Sequence, residues 1–304
     1  MVKLIRNAET AWIATTLLTL TEVYKLVFHQ ALTSCIVPAM KPTTNIAVRA
    51  ARQAGSILMR YFEHLDSLKV VEKNKNDYVT EVDRGAEQAI ISTIRQAYPE
   101  HAILAEETGD HGGNDFQWVI DPLDGTTNYL HGFPQFSISI ALKHRGVLES
   151  AVVYDPLKDE LFTADKGNGA YLNERRIRIN NQKTLSGALI GTGIPFRDRR
   201  FIDQYLGMLK DMTQDTAGIR RPGSAALDFA WLAAGRIDGF WELGLSQWDF
   251  AAGALLVKEA GGTVTDLNGG DKYLETGNVV ASNVKLQNEM LSLIKPHLSD
   301  QLKA

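Results

Sequence analysis

Trp118-Val119-Ile120-Asp121-Pro122-Leu123-Asp124-Gly125-Thr126-Thr127-Asn128 is the stretch around which the rest of the chain can be read. Three strand-forming residues run into two carboxylates, and a glycine and two hydroxyl side chains follow. Pro122 fixes its own φ and biases Asp121 towards an extended conformation, so the strand is expected to stop at Asp121 and turn sharply. Both acids then stand at its carboxyl end. Two like charges a few ångströms apart raise one another's pKa unless something positive lies between them, and hard oxygen ligands suit Mg²⁺ or Mn²⁺. Gly125 lets the backbone approach a ligand, and the N–H groups of Gly125, Thr126 and Thr127, if they open a helix, would hold a phosphate. The local chemistry is that of a metal plus an anion, with an ordinary surface turn built from the same residue types as the competing reading.

Upstream, Ala102 to Ala105 reads as a short strand that ends on Glu106-Glu107, with Gly109 to Gly113 as a flexible connection. If the two strands are neighbours, Glu106, Asp121 and Asp124 share one sheet edge. Downstream, Phe136 to Leu142 alternates Ser with Ile and Ala, and Val147 to Tyr154 is again apolar, so His144-Arg145-Gly146 reads as a hairpin turn. Leu161 to Ala164, Ala170 to Leu172 and Ile177 to Ile179 continue as short antiparallel strands. Gly167-Asn168-Gly169 is a turn rather than a nucleotide loop, because no third glycine follows at the required spacing.

Farther out, Thr43 or Thr44 is expected to cap a helix with one apolar stripe, from Ile46 to Leu65. Leu68 to Val71 reads as a strand, Lys73 to Asp77 as a polar loop, and Val79 to Asp83 leads into a helix carrying Ala86, Ile90 and Ile94 on one side. Towards the C-terminus, Ala188 to Thr192 is a strand, Arg197 to Met212 a helix, and Ile219 to Arg221 a strand. Gly223-Ser224 starts a helix whose Leu227, Ala230, Trp231 and Ala234 lie on one face; such a start suits an anion. Ile237 to Glu242 is a strand ending in an acid, and Trp248-Asp249 opens a helix that Gly261-Gly262 stops. Taken alone, Asp249 is a carboxylate facing a helix dipole. Strand Thr263 to Leu267 and an amphipathic helix Val284 to Leu298 follow.

The 304 residues suffice for one large domain or two small ones, and the net charge of −4 gives no broad footprint for nucleic acid or an anionic membrane. Cys35 is the single cysteine, which excludes an intrachain disulfide framework and fits a reducing, cytoplasmic setting. Residues 1–39 look unlike the remainder: their apolar run, Ala11 to Leu20, is too short and too interrupted for a membrane span. Met40 opens the first cleanly patterned stretch. The expected organisation is an N-terminal appendage over 1–39, of unknown role and not necessarily native, and a catalytic domain over 40–304.

The stretch at 118–128, with Trp248-Asp249-Phe250-Ala251-Ala252-Gly253 and Glu259-Ala260-Gly261-Gly262, resembles the two signatures of the inositol monophosphatase family, and Glu106-Glu107 lies upstream as in that family. The resemblance runs from about Met40 to the C-terminus and is strongest to the bacterial branch. It implies a mixed α/β fold layered α/β/α/β/α, and a lithium-sensitive, Mg²⁺-dependent phosphomonoesterase acting on inositol 1-phosphate. It implies two Mg²⁺ ions, with a third, weaker ion near Glu106 admitted and Mn²⁺ able to substitute. Carried over by position, Glu106, Asp121, Asp124, Asp249 and the Leu123 carbonyl are metal ligands, with Asp121 bridging two ions. Glu106, Thr126 and Asp83 serve the attacking water. Asp124, Gly125, Thr126, Gly223, Ser224 and Ala225 contact phosphate and sugar, Glu242 binds polyol hydroxyls, and Arg220 is a further substrate contact. The resemblance also implies a homodimer. The loop at Lys73 to Asp77 matches the family's mobile flap poorly and receives no role.

Relatives acting on fructose 1,6-bisphosphate, 3′-phosphonucleotides or histidinol phosphate would share the metal site and differ in pocket shape. A haloacid-dehalogenase-type phosphatase needs its two aspartates one residue apart, unlike Asp121 and Asp124. A different class of role also comes with the family, since bacterial members join RNA polymerase antitermination complexes.

Overall fold

The computed structural model describes residues 40–65, 70–74, 77–196 and 199–303; the appendage expected over 1–39, with Cys35, lies outside them. Among the described residues the strands form an eight-stranded sheet, a five-stranded sheet and a two-stranded hairpin.

Helix α1 (Pro42–Phe62) is followed by the hairpin of β1 (Val70–Asn74) and β2 (Asp77–Thr80), and by helix α2 (Glu81–Ala97). The expected cap of α1 is not found: Pro42 occupies the first turn and neither Thr43 nor Thr44 caps it. Proline brings its own helical φ and lacks the N–H that a cap would satisfy. The start of α1 is instead held from across the fold. Asp165 accepts the Lys41 N–H at 2.9 Å and the Ser150 hydroxyl at 3.0 Å, and also the hydroxyl of buried Thr44. The loop expected at Lys73 to Asp77 is largely taken up by β1 and β2, with 75–76 outside the described residues.

The eight-stranded sheet contains β3 (Ala102–Ala105), β4 (Gly109–His111), β5 (Phe116–Asp124), β6 (Ser137–His144), β7 (Val147–Asp155), β8 (Glu160–Asp165), β9 (Gly169–Leu172) and β10 (Arg175–Ile177), in the order β10-β9-β8-β7-β6-β5-β3-β4. Among the described strands of this sheet only the β3–β5 pair is parallel. The stretch at Gly109 to Gly113 is not a free connection: β4 folds back antiparallel onto β3 and forms the sheet edge. The turn between β6 and β7 is the two-residue hairpin Arg145-Gly146, with φ of 51° and 79°. Two positive φ values match the right-handed twist of the flanking strands.

The five-stranded sheet is built from β11 (Leu189–Thr192), β12 (Gly218–Arg220), β13 (Gly239–Glu242), β14 (Thr263–Thr265) and β15 (Val279–Ser282), in the order β12-β11-β13-β15-β14. Around these lie α3 (Thr126–Leu130), α4 (Ile202–Met212), α5 (Ala225–Ala233), α6 (Gln247–Glu259), α7 (Tyr273–Thr276), α8 (Val284–Ile294) and α9 (Asp300–Lys303).

The period-two alternation of the strands determines the layers. Trp118, Ile120, Ile138, Ile140 and Val152 face α1 and α2 in one core. Val119, Ala141, Ala151 and Val153 face the opposite way, onto α5 and α6, which in turn cover Phe240, Val279 and Ala281 of the smaller sheet. Trp241, Val280 and Ile190 point to the outer side, where Tyr205 and Met208 of α4 and Leu286 and Met290 of α8 close a third core. The order is helix, sheet, helix, sheet, helix, as expected. One expectation about α5 changes: its apolar residues do not form one stripe, because every residue from Ala225 to Ala230 is buried. A helix between two sheets must be apolar nearly all round.

Candidate active site

The parallel register of β3 and β5 pairs Ala105 with Ile120, and the Glu106 N–H donates to the Ile120 carbonyl at 3.1 Å, so Glu106 lies beside Asp121. Asp121 shares the face of Val119, the side that carries α5 and α6. Strand β5 does not stop at Asp121 as expected. It runs on to Asp124 through an irregularity in which the β6 partner steps from Ser139 to Ser137. Pro122 has no N–H for the ladder, and a bulge absorbs the missing bond while the strand continues. The Asp121 carboxylate itself stabilises the bulge by accepting the Leu123 N–H at 2.9 Å.

Strand β6 then brings the two central helices to these acids. Ser139, opposite Asp121, donates its hydroxyl to the Trp248 carbonyl at 3.1 Å, which sets the start of α6 and Asp249 against the sheet. Asp249 accepts the Ser246 N–H at 2.7 Å and so closes the first turn of its own helix. Ser137, opposite Asp124, lies 3.3 Å from the hydroxyl of Ser224 at the start of α5. Asp124 is held there by the Ser224 hydroxyl at 2.6 Å and the Ala226 N–H at 2.8 Å. The alternating serines of β6 thus have a structural purpose that period alone does not disclose.

Gly125 adopts φ 91°, and a Cβ there would stand 2.9 Å from the Gln135 carbonyl oxygen and 3.2 Å from that of Gly223. Gly223 is also left-handed, at φ 90°. Asn128 joins the two glycine turns, its side-chain amide donating to the Gln135 carbonyl at 2.7 Å and to the Pro222 carbonyl at 2.9 Å. Thr126, buried, donates its hydroxyl to the Leu123 carbonyl at 3.0 Å and lies 3.5 Å from Asp83 of α2, itself buried.

These groups border a cavity of about 990 Å³, lined by Glu106, Asp121, Leu123, Asp124, Gly125, Thr126, Gly223, Ser224, Ala225, Glu242 and Asp249. Asp83 lies behind Thr126, away from the lining. Arg220 is not among the lining residues; it is exposed on edge strand β12 and its guanidinium donates to the neighbouring Ile219 carbonyl at 3.1 Å. Arg221 lines the cavity instead, stacked 5.2 Å over the Phe196 ring. Arg221 lies just past the end of β12, and sequence alone did not say which arginine faces in. Asp228 is a further acid in the lining that motif reasoning missed, since an Asp in a helix's first turn reads as a dipole partner.

The electrostatics favour a cation. Burial pushes the Asp121 carboxyl well above the usual range, and Glu106, Asp124 and Asp249 push it further. Burial also raises Asp124 to about 6, although the Ser224 hydroxyl and the α5 N–H groups oppose the rise. The groups acting on Asp121 are all acids, and their donors are all oxygen, the set that hard divalent ions prefer. Among the described residues no group of three such side chains is arranged as a ready-made ion site. Asp124 instead accepts from the start of α5 and Asp249 from the start of α6. The residues fit a divalent ion that would draw these carboxylates inward.

The chain matches the profile of the inositol monophosphatase family over residues 39–300. It belongs to the inositol monophosphatase family. A relative from Pseudomonas aeruginosa, named Nus factor SuhB, is 55% identical over 270 residues that span 87% of this chain and 100% of the relative. Among solved structures, the extragenic suppressor protein suhB from Bartonella henselae superimposes with a TM-score of 0.82 at 42% identity, covering 85% of this chain and 100% of that one. The inositol monophosphatase from Anabaena (Nostoc) sp. PCC 7120 gives a TM-score of 0.75 at 38% identity, over 83% of this chain and 95% of that one. The layered α/β architecture is that of these inositol monophosphatase-family structures.

Proposed function

We propose that the chain is a Mg²⁺-dependent phosphomonoesterase that hydrolyses inositol 1-phosphate. The observation that carries the reading is the burial of Asp121 beside Glu106, Asp124 and Asp249 at the wall of the cavity, an all-oxygen arrangement that a bound cation would relieve. Glu106, Asp121, Asp124, Asp249 and the Leu123 carbonyl would hold the ions, with Asp121 between them. Bound Mg²⁺ would neutralise the ester dianion and acidify a water, the two demands of phosphate-ester hydrolysis.

The remaining work falls to the chain's own residues. Thr126 directs its hydroxyl proton to the Leu123 carbonyl or to Asp83, which leaves its oxygen to act as an acceptor for a water proton. Asp83, on the rigid helix α2, holds that orientation. The left-handed turns at Gly125 and Gly223 bring backbone close to the cavity, where the ester phosphate would sit, and Glu242 on β13 would accept polyol hydroxyls. Asp83, Thr126 and Asp124 are all buried, which lowers the local dielectric and strengthens each of these contacts.

Phosphate release from a panel of phosphate esters, with Mg²⁺ and with or without Li⁺, tests the proposal. Turnover should be highest on inositol 1-phosphate, should need Mg²⁺ and should fall with Li⁺. Silence on every ester would sink the enzymatic reading; a preference for fructose 1,6-bisphosphate or a 3′-phosphonucleotide would move the substrate within the family.

A second reading has its own support. Relatives at about half identity over their whole length are named Nus factor SuhB, so a part in a transcription antitermination complex is proposed alongside catalysis. A readthrough assay with the Asp124→Asn variant separates the two, because a scaffold needs the surface and not the charge.

A further inference from the structure

Asp228 is 2% exposed and is one of the residues lining the cavity, and its Oδ1 is buried with no hydrogen-bond partner among the described residues. A buried carboxyl oxygen without a donor is rare in native proteins and marks a group waiting for one. The backbone of Asp228 is well anchored: its N–H donates to the Ser224 carbonyl at 3.0 Å, so Asp228 lies one turn along α5 from Ser224. Ser224 holds Asp124 at 2.6 Å. One helical turn is roughly 5 Å of rise, about the width of a six-membered ring. A ring of that width, with its ester oxygen near Asp124, can reach Asp228 with a ring substituent.

The surroundings say which substituents. Burial, and then the charges of Glu242 and Asp124, push the Asp228 carboxyl well above the usual range, with Arg221 opposing them. A second anion is unwelcome there, whereas hydroxyl groups donate readily to carboxyl oxygens. Glu242 stands on the same wall, directly against Gly193, where any Cβ would collide with its carboxylate. The missing side chain at Gly193 leaves that acid room beside the cavity.

We propose that Asp228 is a specificity-determining residue of this cavity, accepting a ring hydroxyl of a polyol phosphate beside Glu242. The inference rests on the phosphatase reading for the ester but not for the hydroxyl contact. Its test therefore separates the two.

The test titrates the full chain, in Mg²⁺ buffer, with myo-inositol and separately with inorganic phosphate, following protein NMR shifts. Asp228→Ala should weaken myo-inositol about tenfold, the loss of one buried hydrogen bond, and leave phosphate within about twofold. Asp228→Asn keeps the size and shape of the side chain and carries the test if the Ala variant does not fold; it should weaken myo-inositol by a smaller factor. In turnover, KM for inositol 1-phosphate should rise about tenfold with kcat retained, while phenyl phosphate, which lacks ring hydroxyls, should be processed as before. Unchanged myo-inositol binding, no myo-inositol binding by the unmodified chain, or an equal loss for both ligands overturns the proposal. A chain that turns over no ester refutes the phosphatase reading, and the myo-inositol titration still decides Asp228.

Discussion

Replacing Asp124 by Asn removes a charge but keeps an oxygen that can accept from Ser224 and Ala226, the contacts that hold Asp124 at the start of α5. The variant should fold as the parent does, and its Mg²⁺-dependent phosphate release should fall by at least about 100-fold, since the charge that a metal ion needs is gone. Steady-state phosphate release checks this, and persistent turnover would mean that the ligand assignment is mistaken. Asp124 also predicts a pH dependence. Its carboxyl is raised from the ordinary 3.8 to about 6, so the metal-free fold binds a proton that the unfolded chain has released. The stability this contributes is present below 3.8 and disappears as pH rises through about 6. Bound Mg²⁺ competes with the proton, so ion affinity should rise over the same interval. Calorimetric melting of metal-stripped and Mg²⁺-loaded protein between about pH 4.5 and 7.5 tests both signs; curves that stay parallel would contradict them.

At the level of elements, the site depends on how strands and helices end. Gly125 combines φ 91° with a Cβ direction blocked by the Gln135 carbonyl at 2.9 Å. Gly125→Ala should cost about 1–3 kcal/mol in urea unfolding, and should impair turnover more than its stability loss explains, because the turn carries Asp124 and Thr126. Asp165 gives the opposite case. It secures the start of α1 to β8 through Lys41 and Thr44, and β7 through Ser150, and is not among the residues lining the cavity. Asp165→Ala leaves buried donors unsatisfied and should destabilise by about 2–4 kcal/mol, with kcat of the folded fraction unchanged. A fall in kcat without loss of stability would show that this contact reaches the site. Elements of this kind differ in how readable they were. Whereas the β3–β5 adjacency stood only as a condition until the fold supplied it, the Arg145-Gly146 hairpin and the Ser224 cap follow from local pattern. The passage of β5 through Pro122 and the pairing of β4 do not, because both depend on a neighbouring strand that supplies or forgoes hydrogen bonds.

For the molecule as a whole, the carboxylates come from β3, β5 and the start of α6, so an ion would cross-link elements far apart in sequence. Saturating Mg²⁺ should raise the melting temperature, with about 2.7 kcal/mol expected at a hundredfold excess over the dissociation constant. Asp121→Asn should abolish most of that shift, whereas a shift of full size in the variant would remove Asp121 from the ion site. The acids themselves were legible in the sequence: hydrophobic runs that end in carboxylates, a Pro-Leu-Asp-Gly turn and a Trp-Asp helix start are local features, set by backbone preference and side-chain type. The buried side of most strands and helices was legible for the same reason, since a period of two or of about 3.6 states which side must be buried; the layering itself came from the family resemblance. Tertiary structure alone decided which groups face the cavity. Arg221 rather than Arg220 lines it, Ser137 and Ser139 seat two helices against the sheet, and Asp228 joins the lining with no donor to its Oδ1 among the described residues. Each of those outcomes depends on a partner contributed by another part of the chain, and the hydrogen bond or burial that gives the residue its meaning exists only once the two parts have met.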